Sequence, residues 1–556
     1  SERYVNSQTN LGLNFDLNEF VEGLAAEAYI TFDNYSYLRQ QLRNDYPTYS
    51  IDRYLNAAGD EEIRFTERKK LNLPKKQSIA SNSTYRYFGW NARVKYNRSF
   101  GLHDMGANAA FRYTAEEATG SSQDLKEGNF TFRANYAYNK RYMLEATLAA
   151  MGSNRFQGDN KYFFAHSVGG AWIISNESFL KDMKAVNLLK MKVSYGHLGY
   201  AGDTDFFLHR TNWRQGDKEE FKPSTGANTT DLIRLGNPDL KWQKTLDMNV
   251  GADIALLRNR FNINFDYYQK RTDPLLAVIS LPSSVGTKTI ATNIGEQWNT
   301  GYSATVKYSP IYRPEEGINW NLSLNFRHQK SEYRNIGNSL SQFNAQNENT
   351  SLVRYYDGGS PTALWAVRSL GIDPANGKEV FLKKDGTYTY TYETKDEVQV
   401  GDTEPDLEGV IGTTLYYKGF SFSAHLRYSL GGDVFNEALY TKVENISEDN
   451  LKYNQDKRAL YDRWEKPGQH ARFKGISLTE TTQMSSRFVQ RSNFLKGESF
   501  SAGYDFPKEW IEKAGFSALR LQVNMNDVFR ISSVKEERGI EYPFARMVSA
   551  SVSVTF

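Results

Sequence analysis

Histidine is the side chain best suited to ligate a metal or move a proton near neutral pH. The chain carries seven: His103, His166, His197, His209, His328, His425 and His470. None lies within four residues of another, so no HxxxH pair aims two imidazoles at one ion from a single helix turn. They read as solvated or hydrogen-bonded side chains. There is no cysteine, which removes disulfides, thiolate metal sites and a cysteine nucleophile. Neither the Walker phosphate loop nor the GxSxG nucleophile elbow occurs. No carboxylate pair identifies itself as the acid and base of a glycoside hydrolase. The chain is therefore not expected to be an enzyme, and no catalytic residue, metal ligand or cofactor is assigned.

Aromatic residues in long connections (Trp213, Trp365 and Trp464) have the faces to stack on sugar rings. The plainer reading is loop core, or contact with a partner subunit. Lys383-Lys384-Asp385-Gly386 precedes alternating Thr and Tyr, which predicts a type I′ hairpin turn. Its acidic spacing is wrong for a calcium loop. The pairs Gly169-Gly170 and Gly431-Gly432 read as close-packing or bulge positions rather than ligand contacts.

The elements that carry these residues are strands. Val548, Ala550, Val552, Val554 and Phe556 share one face of a ribbon, and Ser549, Ser551, Ser553 and Thr555 share the other. The same alternation sets Phe420, Phe422, Ala424, Leu426 and Tyr428 against Ser421, Ser423, His425 and Arg427. It sets Phe261, Ile263, Phe265 and Tyr267 against Asn262, Asn264 and Asp266. About 17 such segments are expected. They start near Gln8, Glu22, Tyr85, Met105, Asn129, Tyr142, Tyr162, Leu188, Trp242, Arg260, Trp298, Asn319, Gly409, Phe420, Asn493, Ala518 and Ala545. Large aromatics return on the apolar face while Arg, Asn, Asp and Gln fill the other, a pattern that suits a wet interior and a lipid exterior.

Short and long connections alternate along the chain. Asp16–Val21, Leu257–Asn259, Ser309–Ile318, Lys418–Gly419 and Lys508–Ser517 are short. Asp33–Thr84, Tyr200–Lys241, Thr272–Gln297, Asn335–Leu407, Gly431–Ser492 and Ser532–Phe544 are long. Gly152–Lys161, expected on the long side, is no longer than its neighbours. Outer-membrane barrels place short turns in the periplasm and long loops outside. If the chain ends in the periplasm, its first strand also runs downward. A closed barrel then needs further strands from an upstream segment or another chain, because an open edge in lipid leaves unpaired backbone groups.

Composition agrees. Tyr (36) and Phe (33) are abundant, yet hydrophobic residues reach only 39%. Mean hydropathy is −0.63. A barrel tolerates this polarity because only every second strand residue meets lipid. No run approaches the ~18 apolar residues of a transmembrane helix. Ser1–Asn10 lacks the apolar core of a signal peptide. With 68 basic and 65 acidic residues, the charge balance gives no reason to expect nucleic acid.

Several stretches resemble the SusC-like (RagA/SusC) TonB-dependent outer-membrane transporters of Bacteroidetes. LGNPDLKWQKTLDMNVG, beginning at Leu235, is similar to their NPxLKWE-type motif at a strand start. NRFNINFDYYQKRTDPLL and LPSSVGTKTIATNIGEQWNTGYSATVKY follow in the family's order. GIDPANGKEVFLKKDGTYT, PDLEGVIGTTLYYKGFSFSAHLRYSLGGDVFN, YDRWEKPG and SSRFVQRSNFLKGESFSAGYDFP extend the likeness to the terminal phenylalanine. Lys496-Gly497-Glu498 and Asn526-Asp527-Val528-Phe529 depart from the family pattern.

The resemblance implies an all-β, antiparallel transmembrane β-barrel of about 22 strands. Residues 1–556 would be its C-terminal portion, with the plug domain and first strands absent. It implies outer-membrane uptake of a large nutrient, an oligosaccharide or oligopeptide. The implied partners are a SusD-like surface lipoprotein, the TonB complex acting through an N-terminal segment, and outer-membrane lipid and lipopolysaccharide. It also implies that Phe556, with Val554 and Val552, is the barrel-assembly signal. Two other readings stay open: a SusC-like barrel serving as a scaffold in a larger outer-membrane assembly, and a soluble all-β glycan-binding or hydrolytic protein.

Overall fold

The computed structural model describes residues 2–556 except 43–45, 56–58, 60, 72, 74–76, 120–122, 182, 203–206, 216–229, 338–339, 349, 449–450, 452–454 and 536–545. Seventeen strands belong to one large sheet, and each expected strand corresponds to one of them. The largest discrepancies are at the first and third, which begin at Glu2 and Ser78 rather than near Gln8 and Tyr85. The start expected near Ala545 falls outside the described residues, and that strand begins at Val548. No helix among the described residues is long and apolar enough to cross a membrane.

The chain divides into two packed units. The first comprises Ser1–Ser99, Met105–Ala134 and Thr147–Phe164. In it, Glu2–Asp16 pairs antiparallel with Leu24–Gln41, which pairs with Ser78–Phe100. The register puts Ile30 opposite Trp90 and Ala28 opposite Ala92 on one face, and Glu27 opposite Arg93 on the other. The short turn after Asp16 is closed by its side chain, which accepts from Asn18 N at 2.9 Å, and by Asn18 Oδ1, which accepts from Gly23 N at 2.7 Å. Gly23 has φ +86°, and a Cβ there would run into Asn97 O, so only glycine fits. The long connection at the opposite end holds its own hairpin, Thr48–Leu55 with Glu61–Lys69.

The second unit comprises Phe100–Asp104, Asn135–Ala146 and Ala165–Phe556. From Tyr162–Ile173 onward each strand pairs with the next in order. The order is Val186–Tyr200, Gln243–Leu256, Phe261–Thr272, Glu296–Arg313, Ile318–Arg334, Leu407–Tyr417, Phe420–Phe435, Val489–Asp505, Ala518–Ser532 and Val548–Thr555. Pairing carries the alternation sideways. Val193, Val250, Tyr267 and Tyr302 align in one row, and Ser194, Asn249, Tyr268, Gly301 and Gln329 in the next. Tight turns occupy one end of the ladder, with Leu257, Arg258, Asn259, Lys418 and Gly419 at positive φ.

The apolar face stays uncovered: Val552 is 64% exposed, and many other outward residues are comparably bare. A water-soluble sheet would bury such a face, so the soluble all-β reading fails. The hydrophobic clusters lie instead in the long connections, with Leu439, Val443, Phe473 and Phe488 in one and Leu352, Leu364 and Ala366 in another.

Two local expectations are corrected. Of Lys383–Gly386 only Gly386 has positive φ, +87°, whereas a type I′ turn needs two such residues. Gly386 N donates to Lys383 O at 3.0 Å and Lys383 N to Thr387 O at 2.9 Å. This is a type I turn followed by a left-handed glycine bulge. Gly431 sits at a register shift, as expected of a bulge, but Gly169 and Gly170 lie in unshifted register. A Cβ at either would meet nothing closer than 3.5 Å, so neither bulge nor tight packing requires them.

Candidate functional site

The polar face of the second unit is built from strand positions two residues apart, so its chemistry follows from register. A cavity of about 820 Å³ opens on it, lined by Asp247, Asn249, Tyr268, Lys270, Asn299 and Gln329 among others. Tyr268 Oη donates to Gln329 Oε1 at 3.0 Å. To get there it crosses Gly301, where a Cβ would sit 2.5 Å from the hydroxyl. Gln297 Nε2 donates to Asn299 Oδ1 at 3.2 Å, and Gln329 Nε2 to Ser331 Oγ at 3.2 Å. Charges on this face are matched. Lys270 lies 3.1 Å from Asp247, and Lys192 lies 3.1 Å from Asp253 and 3.0 Å from Asp266. Arg327–Glu408 (2.7 Å), Arg427–Glu498 (3.1 Å) and Arg520–Asp505 (3.2 Å) continue the pattern. Each exposed pair is worth only about 0–1 kcal/mol. Their joint effect is a surface of donors and acceptors with little net charge.

The Leu235 motif is a clip. Leu240 and Trp242 are buried. Asn237 Nδ2 donates to Ala291 O at 3.0 Å. Asn293 Oδ1 accepts from Lys241 N at 2.8 Å, and its Nδ2 donates to Lys241 O at 2.9 Å. Two carboxamides thus fasten the Leu275–Ser280/Thr289–Ile294 hairpin to the segment entering the Gln243 strand.

The connections 335–406 and 436–488 fold together. Arg487 Nη2 reaches Glu379 at 3.0 Å and Glu444 at 2.7 Å. Ser485 Oγ donates to Glu379 at 2.6 Å, and Thr482 Oγ1 to Glu444 at 3.0 Å. Burial works against the charge on Arg487, but hydrogen bonding to Glu444 and the charges of Glu379 and Glu444 outweigh it and hold the guanidinium above its ordinary value. Arg354 and Glu397, both buried, meet in a fork with two contacts of 2.8 Å. Burial pushes the Tyr392 hydroxyl, beside Glu397, upward. Trp464 Nε1 donates to Pro374 O at 2.9 Å, and its ring covers Gly377.

No family model matches the chain. A TonB-dependent receptor of Formosa agariphila is 26% identical over 481 residues, which is 78% of this chain and 46% of that protein. The TonB-dependent receptor SusC of Bacteroides thetaiotaomicron is 26% identical over 486 residues, 76% of this chain and 46% of its own. The RagAB peptide importer in its 'closed-closed' state superposes with a TM-score of 0.76 at 18% identity, covering 100% of this chain and 63% of that chain. The likeness, in sequence and in fold, is to SusC-like TonB-dependent receptors. The chain spans about half the length of the curated relatives it matches. In antiparallel outer-membrane β-barrels of the kind it resembles, the polar strand face lines the lumen, the apolar face meets lipid and the long connections lie outside.

The sequence-derived candidates separate on this frame. Val552 and Val554 lie on the lipid face opposite Leu521 and Leu519. Phe556 is 87% exposed, with its ring edge-on to Phe516 at 5.4 Å. Trp365 and Trp464 belong to the loop body, Trp365 against the Tyr356 ring at 4.7 Å. Trp213 is 59% exposed. His103 Nδ1 meets Tyr136 Oη at 2.7 Å, and His328 Nδ1 meets Asp406 O at 2.7 Å. His166 and His197 stack at 5.0 Å on the lipid face, a pairing made by strand register and invisible in their spacing. Among the described residues no group of three or more His, Asp or Glu could hold a metal ion. The ion triad on Arg487 was missed, since Glu379 stands 108 residues away in the chain.

Proposed function

We propose that this chain is the C-terminal barrel portion of a SusC-like transporter that imports a large polar nutrient, an oligosaccharide or oligopeptide, by a TonB-dependent route. The observation that supports this is the lumenal wall around Tyr268 and Gln329, where carboxamides and hydroxyls alternate and Lys192 and Lys270 each lie beside a carboxylate. Such a wall exchanges hydrogen bonds with a hydrated oligomer without trapping it by charge. The TonB complex would act through a plug domain, for which the greater length of the relatives leaves room. A SusD-like surface lipoprotein would sit over the folded long connections. Phe556, Val554 and Val552 would serve as the barrel-assembly signal.

The test is growth of a strain lacking the whole gene on a panel of oligosaccharides and oligopeptides as sole nutrient. Growth should fail on at least one class. It should return with the wild-type gene but not with Asn249→Leu, Asn299→Leu and Gln329→Leu combined in a barrel that still assembles. Undiminished growth on every nutrient would overturn transport. If the composition of an outer-membrane complex changed at the same time, the scaffold reading would replace it.

A further inference from the structure

We propose that the connection following Tyr162–Ile173 is a foot on the inner leaflet of the outer membrane: Phe179 and Met183 enter the boundary between lipid headgroups and acyl chains, and Glu177 holds them there. The foot would belong to the barrel whatever the barrel transports. The connection ends at Ala185, whose carbonyl accepts from Leu257 N at 3.0 Å, and Val186 pairs with Leu256. It therefore lies at the end of the ladder that carries the tight turn Leu257–Asn259. Outer-membrane barrels turn that end to the periplasm, so the lipid nearest to it is the inner leaflet.

Glu177 shows which way the connection turns. Tyr142 alternates with Leu144 on the exposed apolar face of its strand, and Trp172 with Val168 on the next. Tyr142 Oη donates to Glu177 Oε1 at 2.7 Å, and Trp172 Nε1 to the same oxygen at 3.0 Å. Arg141 Nη1 donates to Glu177 Oε2 at 3.1 Å, and Asn176 Nδ2 to Lys140 O at 2.8 Å. The carboxylate thus grips two side chains that face lipid, which puts the connection against the outer wall of the barrel rather than beneath its lumen. Short backbone turns continue from there. Leu180 N donates to Glu177 O at 3.0 Å, Met183 N to Leu180 O at 2.9 Å and Val186 N to Met183 O at 3.1 Å. Burial is inverted relative to a turn in water: Glu177 is 8% exposed, while Phe179 is 70% and Met183 48% exposed. Tyr and Trp at strand ends mark the membrane interface. A bare phenylalanine beside them gains stability by entering the acyl boundary, as the apolar face of an interfacial segment does. Facing the periplasm it would gain nothing.

The test places a nitroxide label on Phe179→Cys or on Met183→Cys, one at a time, in the complete protein without other cysteines and reconstituted in phospholipid nanodiscs. Oxygen, which concentrates in lipid, and a nickel chelate, which stays in water, compete to relax the label. Both labels should favour oxygen several-fold more than a label on Glu315→Cys, which stands exposed on the Pro314–Glu316 turn at the same end of the ladder. Glu177→Ala removes three hydrogen bonds. In barrels that keep their heat-modifiable gel mobility, it should bring the Phe179→Cys label toward the Glu315→Cys ratio. Relaxation of either label mainly by the chelate would overturn the proposal. So would labels shielded from both reagents, since protein rather than lipid would then cover the site. An unchanged ratio in Glu177→Ala would overturn the part given to Glu177.

Discussion

Arg487 shows how much one side chain can hold. It is the only guanidinium within reach of both Glu379 and Glu444 among the described residues, and both carboxylates are buried. Removing one partner of a buried ion pair costs about 3–5 kcal/mol, because the remaining charge stays desolvated. Arg487→Met should therefore open the loop body. Limited proteolysis should cut within 436–488 many times faster than in the wild type, while barrel mobility on gels stays unchanged. Replacing all three with apolar residues of similar size should restore much of the protection, since no buried charge is then left behind. Asn293 makes a milder case. Asn293→Ala removes two hydrogen bonds to Lys241, each worth about 1 kcal/mol net. Hydrogen exchange at the Thr289–Ile294 hairpin should rise by roughly one to two orders of magnitude.

At the scale of elements, the strands of the large sheet were legible because a barrel strand repeats one rule, lipid on one side and water on the other, over ten or more residues. The run from Phe420 to Arg427 announces itself, as does the turn at Leu257–Asn259. Inside the connections, the hairpin of Glu379–Leu382 with Tyr388–Thr389 was legible from its turn residues, though not the turn type. Ala363–Ala366 was not legible: four residues are too few for alternation to stand out, and it is ordered by burial against other loop segments. The loop boundaries shifted for a related reason. Gly431–Phe435 and Val489–Ser492 were read as loop, but a bulge at Gly431 interrupts the alternation while the pairing continues through Asp433 opposite Arg491. The last strand carries its own prediction. Phe556 leans on Phe516 by one ring edge and is otherwise bare, so it contributes little to the finished fold. Deleting Phe556, or changing Val552 and Val554 to Ser, should lower the amount of barrel inserted in the outer membrane. Barrels that do insert should melt within a few degrees of the wild type. An unchanged yield would remove these residues from any role in assembly.

At the scale of the whole molecule, the strand ladder is regular and the long connections are not, so a partner of the proposed transporter would be recognised by the connections. The bodies formed by 335–406 and 436–488 share ion pairs and the stacking of Trp464 on Gly377, so deleting one undermines the other. Loss of lid binding after such a deletion would not locate the contact. Leu460 and Tyr461 offer a cleaner probe. They are adjacent, 72% and 63% exposed, and follow a turn whose Asp456 side chain caps Arg458 N at 2.9 Å. An exposed apolar pair beside a capped turn is the kind of feature that carries binding energy, where a central contact is commonly worth about 2 kcal/mol or more. Leu460→Asp with Tyr461→Asp should then weaken capture of a SusD-like lipoprotein by roughly thirty-fold or more in a pull-down with purified partners. Arg487→Met should also weaken it, through loss of the support. If the Asp variants bind as the wild type does while Arg487→Met does not, the lid rests elsewhere on the same body. If neither changes capture, these connections are not the docking surface.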